Sequence, residues 1–549
     1  GLMSQLTLIT HAVIYSHSSP HATALLIDGA EIVWIGDHEA ARAHQGLAHT
    51  VIDAGGHFVA PGFVDAHVHA TSTGIMLGGL DLTQVTHKKE FLDLLSDYAK
   101  HVNGATILGH GWDQSNWMDP ELPTRAEIDR ATWGSVVYLS RIDVHSALVS
   151  NSLIAQFPEV KFLAGYGEGV VTQLAHGALR KFALGSITHS QRSTAQELFL
   201  DHVLSQGIVG VHEMAGPHIS SYSDALSLQQ LSSGSNFPQV AIYWGELLSE
   251  ESLNIVRELK AIGAAGDLFI DGALGSHTAF LHEAYSDKPQ TTGAGYLTAE
   301  QVADHLKACT KAGIQGGFHV IGDQACEIAL RGARLAAGPT PDLEFRSLRH
   351  RLEHAEMLSE SGITELGALG MTASMQPLFD AWWGSPGGMY ESRLGRRAHH
   401  MNRWGSLQAN DAAVCFSSDS PVTPNTPWRA IHAAMNHHNP QERISASAAF
   451  AAHTRAGWRA LGAQFDSYGV IEVGAPAHLA IWHVPESEGE FPGSRSAQQG
   501  AQPGSAIAVL PDLGSSREPE IPVSVCTIVN GMVSYTGEDF ADRIRTYAQ

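Results

Sequence analysis

Two histidines, His67 and His69, end the short apolar segment at residues 61–70, PGFVDAHVHA. Entered through a Pro-Gly turn, residues 63–68 read as a strand, and side chains two apart on a strand point the same way. The two imidazoles therefore project side by side. Held so, they can grip one divalent cation through two nitrogens, at roughly 2.0–2.1 Å each for zinc. Three more groups of ligand type stand at the C-terminal ends of apolar runs: His319 in IQGGFHVIGD, His354 in LRHRLEHAEM and Asp419 in AAVCFSSDSP. Five polar groups on strand ends are costly to bury without partners, and a shared metal removes that cost. A divalent metal also brings the pKa of its water from 15.7 to about 7. A carboxylate beside that water can take a proton and hand it to a departing amine, and Asp419, in the SSDSP turn, is the candidate. A metal-side histidine, or His277 in GALGSH, could polarise a substrate carbonyl. The chemistry such an arrangement can carry is hydrolysis by metal-activated water.

These groups can meet only if their strands do. Runs at 207–214 (GIVGVHEM), 238–244, 267–272 (DLFIDG), 314–323, 348–357, 370–377 and 412–421 each read as a buried strand, most with a helical pattern after them. With 63–68 they number eight, enough to close an α/β fold of the (β/α)8 TIM-type barrel over residues 61–464, whose strand C-termini carry the chemistry. Both ends of the chain are β-rich, and Asp28-Gly29 and Asn530-Gly531 mark hairpin turns. Neither end is long enough for a good sheet alone, so residues 1–60 and 465–549 are expected to build one small β-sandwich domain together. Residues 78–200 exceed a barrel crossover and form an inserted α/β subdomain after the first barrel strand. The Ser-, Gly-, Pro- and Glu-rich stretch at 485–522 reads as an exposed loop.

PGFVDAHVHA resembles the first barrel strand of the amidohydrolase superfamily, metal-dependent hydrolases built on this barrel. GWDQSNW, LPTRAEID and RIDVHSALVSN, in that order, are similar to the insertion of its N-substituted formamide deformylase-like branch. The likeness spans nearly the whole chain apart from 485–522. It implies a composite terminal β-domain, one zinc-type ion or two, and Asp419 as general base. It also exposes a departure. In close relatives the segment matching 267–272 commonly opens with a lysine, carboxylated so that it bridges two metals. Here that position is Asp267, and DLFIDGALGS holds no lysine. Asp267 can itself bridge, being shorter but also anionic, or it can leave a site for one metal. Gln173 stands where relatives often carry glutamate, and fewer anionic ligands favour a mononuclear centre. The relatives' GSRTA reads GSHTA here, so His277 alters the substrate or adds a ligand, while Asp271 reads as a turn residue before Gly272.

Substrate contacts are expected from Trp112, Asp113, Arg141 and His145 in the insertion, and from Gln376, Trp382 and Trp383 after the seventh strand. Aromatics in strand-end loops can wall an apolar pocket, although packing of loop on barrel explains the tryptophans equally well. HHMNR (399–403) and MNHHN (435–439) read as solvated faces. A formal charge of -23 over 549 residues argues against nucleic acid or an anionic membrane as partner. Nor is there an 18-residue apolar run to suggest a span. Four separate cysteines without a CxxC pair fit a reducing cytoplasm, and the opening GLMSQL lacks a signal-peptide pattern. The expected partner is a small-molecule substrate, with a homo-oligomer left open. The reading is a metal-dependent amidohydrolase acting on an N-acyl, N-formyl or related amide. A cyclic-amide hydrolase or heterocycle deaminase uses the same ligands. A metal-binding scaffold without turnover is the alternative of another class, with Asp267 and Gln173 as marks of decay.

Overall fold

The computed structural model describes residues 5–142, 145–234, 236–485 and 507–547. The chain divides into two compact units, Gly1–His69 with Leu200–Gln549, and Ala70–Phe199. The first is organised around a parallel sheet of eight strands in sequence order. These are β1 (Phe63–Val68), β2 (Ile208–Ala215), β3 (Gln239–Trp244), β4 (Gly263–Ala264), β5 (Gln315–Val320), β6 (Arg351–His354), β7 (Thr372–Met375) and β8 (Ala413–Phe416). Most read as near-continuous buried runs, as strands of a parallel sheet covered on both faces do. The sheet closes where β1 meets the chain just beyond β8. Val68 bridges to Ser420, the His69 N–H donates to the Ser420 carbonyl at 3.0 Å, and the Asp419 N–H donates to the His67 carbonyl at 2.9 Å.

One barrel strand differs from its sequence pattern. The run at 267–272 is not the fourth stave; β4 ends at Ala264. Gly266, at φ 91°, turns the chain in a conformation open to glycine because it has no Cβ. Residues 268–270 then lie along the end of β5, where the His319 N–H donates to Leu268 O (2.8 Å) and the Ile270 N–H to His319 O (3.0 Å). Asp267 is thereby set at the rim.

The barrel interior is polar where Val, Ile and Leu usually dominate. His212, Tyr243, Gln315, Arg351 and Glu353 are all buried, and their bonds run between β1, β2, β3, β5 and β6.

The two ends of the chain build two five-stranded sheets. One is ordered Ile544–Thr546, Thr50–Asp53, Leu6–Thr10, Ala24–Asp28 and Glu31–Gly36; the other Val13–Ile14, Phe58–Pro61, Leu479–His483, Val523–Val529 and Met532–Thr536. Ile9, Leu25, Ile52, Val59, Leu479 and Ile528 share one buried cluster, so neither end completes the core alone. One hairpin turns at Gly29-Ala30, just past Asp28, and another at Asn530-Gly531, where φ of 51° and 75° gives the two left-handed residues of a type I′ turn.

Ala70–Phe199 carries its own five-stranded sheet, ordered Val171–Thr172, Ser146–Val149, Val137–Arg141, Ile107–Trp112 and Leu80–Asp81. Helix Arg125–Ala131 starts from a Thr124/Glu127 capping box, the local meaning of LPTRAEID. The stretch at 485–522, expected as a loop, lies outside the described residues over 486–506. Among the described residues no helix is long and apolar enough to cross a membrane.

Candidate metal centre

The ends of β1, β5 and β6, with the segments following β4 and β8, gather six residues in two groups. His67, His69, Asp267 and Asp419 offer ligand atoms all within 4.8 Å of one another, and so do Asp267, His319 and His354. Asp267 belongs to both. Its Oδ2 lies 3.3 Å from His67 Nε2 and 3.1 Å from His69 Nε2. Its Oδ1 lies 3.2 Å from His319 Nδ1 and 3.7 Å from His354 Nε2. Asp419 Oδ1 stands 3.2 Å from Nε2 of both His67 and His69. One carboxylate thus turns a different oxygen to each group.

The outer nitrogen of three rings has a partner. His67 Nδ1 donates to Glu353 Oε1 (2.8 Å), His319 Nε2 to the Gly272 carbonyl (2.8 Å), and His354 Nδ1 to Gln376 Oε1 (2.7 Å). A carboxylate, a carbonyl and an amide oxygen can only accept, so the ring proton sits on that side and the other nitrogen faces the centre. The His67 ring is fully buried, and its Nε2 makes no hydrogen bond of proper direction despite the nearby carboxylates. A buried ring nitrogen facing acceptor oxygens without a well-directed hydrogen bond is unfavourable, and a cation among them turns the cluster into coordination. The residues fit divalent metal.

Protons compete for the same atoms. Burial disfavours charge on these rings, but Asp267 and Asp419 outweigh it, pushing His69 up to about 10 and His67 well above its ordinary value. Burial would raise the two carboxyls, yet His67 and its neighbours hold both well below the usual range. Metal must displace those protons. Calorimetric zinc titration at pH 8, in buffers of different ionisation heat, is expected to show release of about one to two protons per chain, with affinity rising as pH rises toward 10. Uptake without proton release would place the metal elsewhere.

Backbone geometry explains how the ligands are aimed. His354 (φ 74°) and Asp419 (φ 57°) occupy the left-handed region, which non-glycine residues seldom adopt. At His354 this breaks strand alternation, so Glu353 and His354, neighbours in β6, both serve the centre. The Asp419 turn is held by Asp65, which accepts the Ser418 N–H through Oδ1 and Asn425 Nδ2 through Oδ2, each at 2.9 Å. Asn425 Nδ2 also reaches Ser420 Oγ at 3.0 Å.

Among the described residues, neither group includes His277 or Asp271. His277 Nε2 sits 3.0 Å from Asp287 Oδ1, and its ring packs on Tyr285. Gln376 is buried and engaged with His354, while Trp382 is exposed. Trp383 packs on Phe379 (4.7 Å between ring centroids), and Phe379 stacks over His354 at 6.0 Å. Asp271 accepts the N–H groups of Phe280, Ile321 and Gly322, and burial pushes its carboxyl up to about 6. Within the insertion Trp112 is fully buried and donates its indole N–H to the Leu139 carbonyl (2.7 Å). Arg141 pairs with Asp113 at 2.9 Å, and His145 and Gln173 are exposed. The MNHHN stretch is not a solvated face throughout: His437 is buried, its Nε2 3.0 Å from the carbonyls of Met401 and Asn402.

Glu353 and Arg351 were not legible as site residues. Arg351 forks onto Glu353 inside the barrel, Nε to Oε2 at 2.7 Å and Nη2 to Oε1 at 3.0 Å. Burial alone would raise the Glu353 carboxyl, but Arg351 and His67 hold it at about 2. The available signal was RLEH itself, two opposite charges two apart within a barrel strand.

A family model described as Amidohydrolase family matches residues 50–535. The chain is 26% identical over 508 residues to Protein LONG AFTER FAR-RED 3 of Arabidopsis thaliana, across 84% of each chain. It is 22% identical over 502 residues to N-substituted formamide deformylase of Arthrobacter pascens, across 84% of this chain and 90% of that one. The crystal structure of an uncharacterized metal-dependent hydrolase from Pyrococcus furiosus aligns with a TM-score of 0.71 at 25% identity, over 87% of this chain and 98% of its own.

Proposed function

We propose, from the premise that the chain belongs to the amidohydrolase family, that it is a metal-dependent hydrolase of the C–N bond in an N-acyl or N-formyl amine. The observation that carries this reading is the division of six ligand-type residues into two groups sharing Asp267. It favours a two-ion centre over the single ion suggested by ligand count, with Asp267 in the place of a bridging carboxylated lysine. His67, His69 and Asp419 would hold one ion, His319 and His354 the other, and Asp267 both. Imidazole with carboxylate suits zinc. Such an ion supplies Lewis acidity and lowers the pKa of water from 15.7 to about 7.

This chain's own residues supply the rest. Asp419, held anionic and fixed by its backbone bond to His67, takes a proton from the attacking water at a carboxylate oxygen and returns it to the leaving nitrogen. Glu353, Gly272 and Gln376 keep three imidazoles in the tautomer that turns a lone pair inward. Phe379 and Trp383 offer apolar surface beside His354 for the organic part of the substrate. The formyl or acyl class is supported by the name of the Arthrobacter pascens relative. A reducing cytoplasm is supported by four buried, unpaired cysteines.

Zinc-replete protein assayed on N-formyl and N-acyl amines, with its metal located by anomalous scattering, tests both parts. Two peaks flanking Asp267 and turnover of an open-chain amide are expected. Turnover confined to cyclic amides or amino-heterocycles overturns the substrate class. Two tightly held ions with no turnover at all would make the protein a scaffold.

A further inference from the structure

We infer that Glu353, fixed by Arg351, is a positioning residue that makes the His67–His69–Asp419 half of the centre the tighter of the two. The inference rests on the two-ion reading above. Three ligand imidazoles have a known outer partner, and the partners differ in charge. His319 donates to a backbone carbonyl and His354 to the amide oxygen of Gln376, both neutral, whereas His67 donates to the Glu353 carboxylate. An anion behind an imidazole raises its basicity and fixes its orientation. The same half also carries Asp419, while the other half has two imidazoles and its share of Asp267.

Glu353 is not free to turn away. Both of its oxygens are bound by the Arg351 fork, which is itself fully buried. The remaining Arg351 donors reach the Ala66 carbonyl (2.8 Å), His212 Nδ1 (2.9 Å) and Tyr243 Oη (3.2 Å). Tyr243 donates to Gln315 Oε1 (2.7 Å), and Gln315 Nε2 donates to the carbonyls of Leu348 and Ala460 (2.8 Å each). Every hydrogen bond in this chain has its direction fixed by chemistry, from carbonyls at its far end to the Nδ1 proton of His67. The network crosses the barrel interior and ends on one ligand.

Zinc titration of the full chain in competition with a chelator is the test. Wild type should bind in two steps. Glu353→Gln keeps an oxygen acceptor for His67 but removes the charge, and is expected to weaken the tighter step about 10–100-fold while leaving the weaker one nearly unchanged. Because that variant strands the Arg351 charge, Arg351→Met/Glu353→Gln removes both charges. The double variant should recover most of the metal-free melting temperature lost in the single one, yet keep the affinity loss. A folded double variant that binds its first ion as tightly as wild type overturns the role of Glu353 and leaves an ion pair that fills the core. Equal loss at both steps overturns the inequality. Wild type taking up one ion overturns the two-ion reading instead, a result distinct from either.

Discussion

Asp419→Asn is expected to lower kcat by about 10²–10⁴-fold, the span that a positioned acid–base group contributes, while the protein retains its metal. Asparagine keeps an oxygen where Asp419 Oδ1 now stands, 3.2 Å from Nε2 of both His67 and His69. It leaves intact the backbone bond to His67 and the Asp65 bond to the Ser418 N–H. What it loses is the capacity to hold a proton. Steady-state kinetics and metal content measured on one preparation separate the two roles. Wild-type kcat would remove Asp419 from the chemistry, whereas parallel loss of metal and rate would make it chiefly a ligand.

Asp267→Asn is expected to take metal content from two ions per chain to one and to lower kcat by about 10²-fold or more. Two charged oxygens face two groups here, and asparagine offers one neutral oxygen in their place. An ion that stabilises developing charge contributes several kcal/mol, and each 1.4 kcal/mol is about tenfold in rate. The metal-free protein should respond as well. His67, His69 and His319 owe part of their raised pKa to Asp267, so without it they hold protons less firmly and zinc uptake releases fewer. Elemental analysis and the same calorimetry check both statements. Two ions retained in Asp267→Asn would contradict a bridge.

Much of this candidate centre was legible because its residues stand at the ends of local patterns. His67 and His69 follow a Pro-Gly entry, and His319, His354 and Asp419 lie just where apolar runs stop. The fourth strand was misplaced because DLFIDG reads as a stave by hydrophobicity alone, while the decisive turn at Gly266 depends on a left-handed backbone. Metal number was weighed by counting anions, with a bridging Asp267 left open, because only the fold shows its two oxygens turned to different groups. Glu353 escaped notice for a different reason. Its partner His67 is 286 residues away, and only barrel closure brings them together. His354 looked like a simple strand-end ligand, but strict alternation would have sent it to the opposite face from Glu353. The tryptophans could not be sorted by type: Trp112 is core, Trp382 is exposed, and Phe379, unremarkable in sequence, is the ring that stacks over His354.

The seam between first and last barrel strands imposes an order on biosynthesis. Asp65 clamps Ser418 from 353 residues upstream, and Asp419 and Ser420 bond to the two histidines of the opening motif. A ribosome must therefore release almost the entire barrel before Asp419 can join His67 and His69. Nascent chains that stop short of this point would carry His67 and His69 without the second carboxylate that faces them.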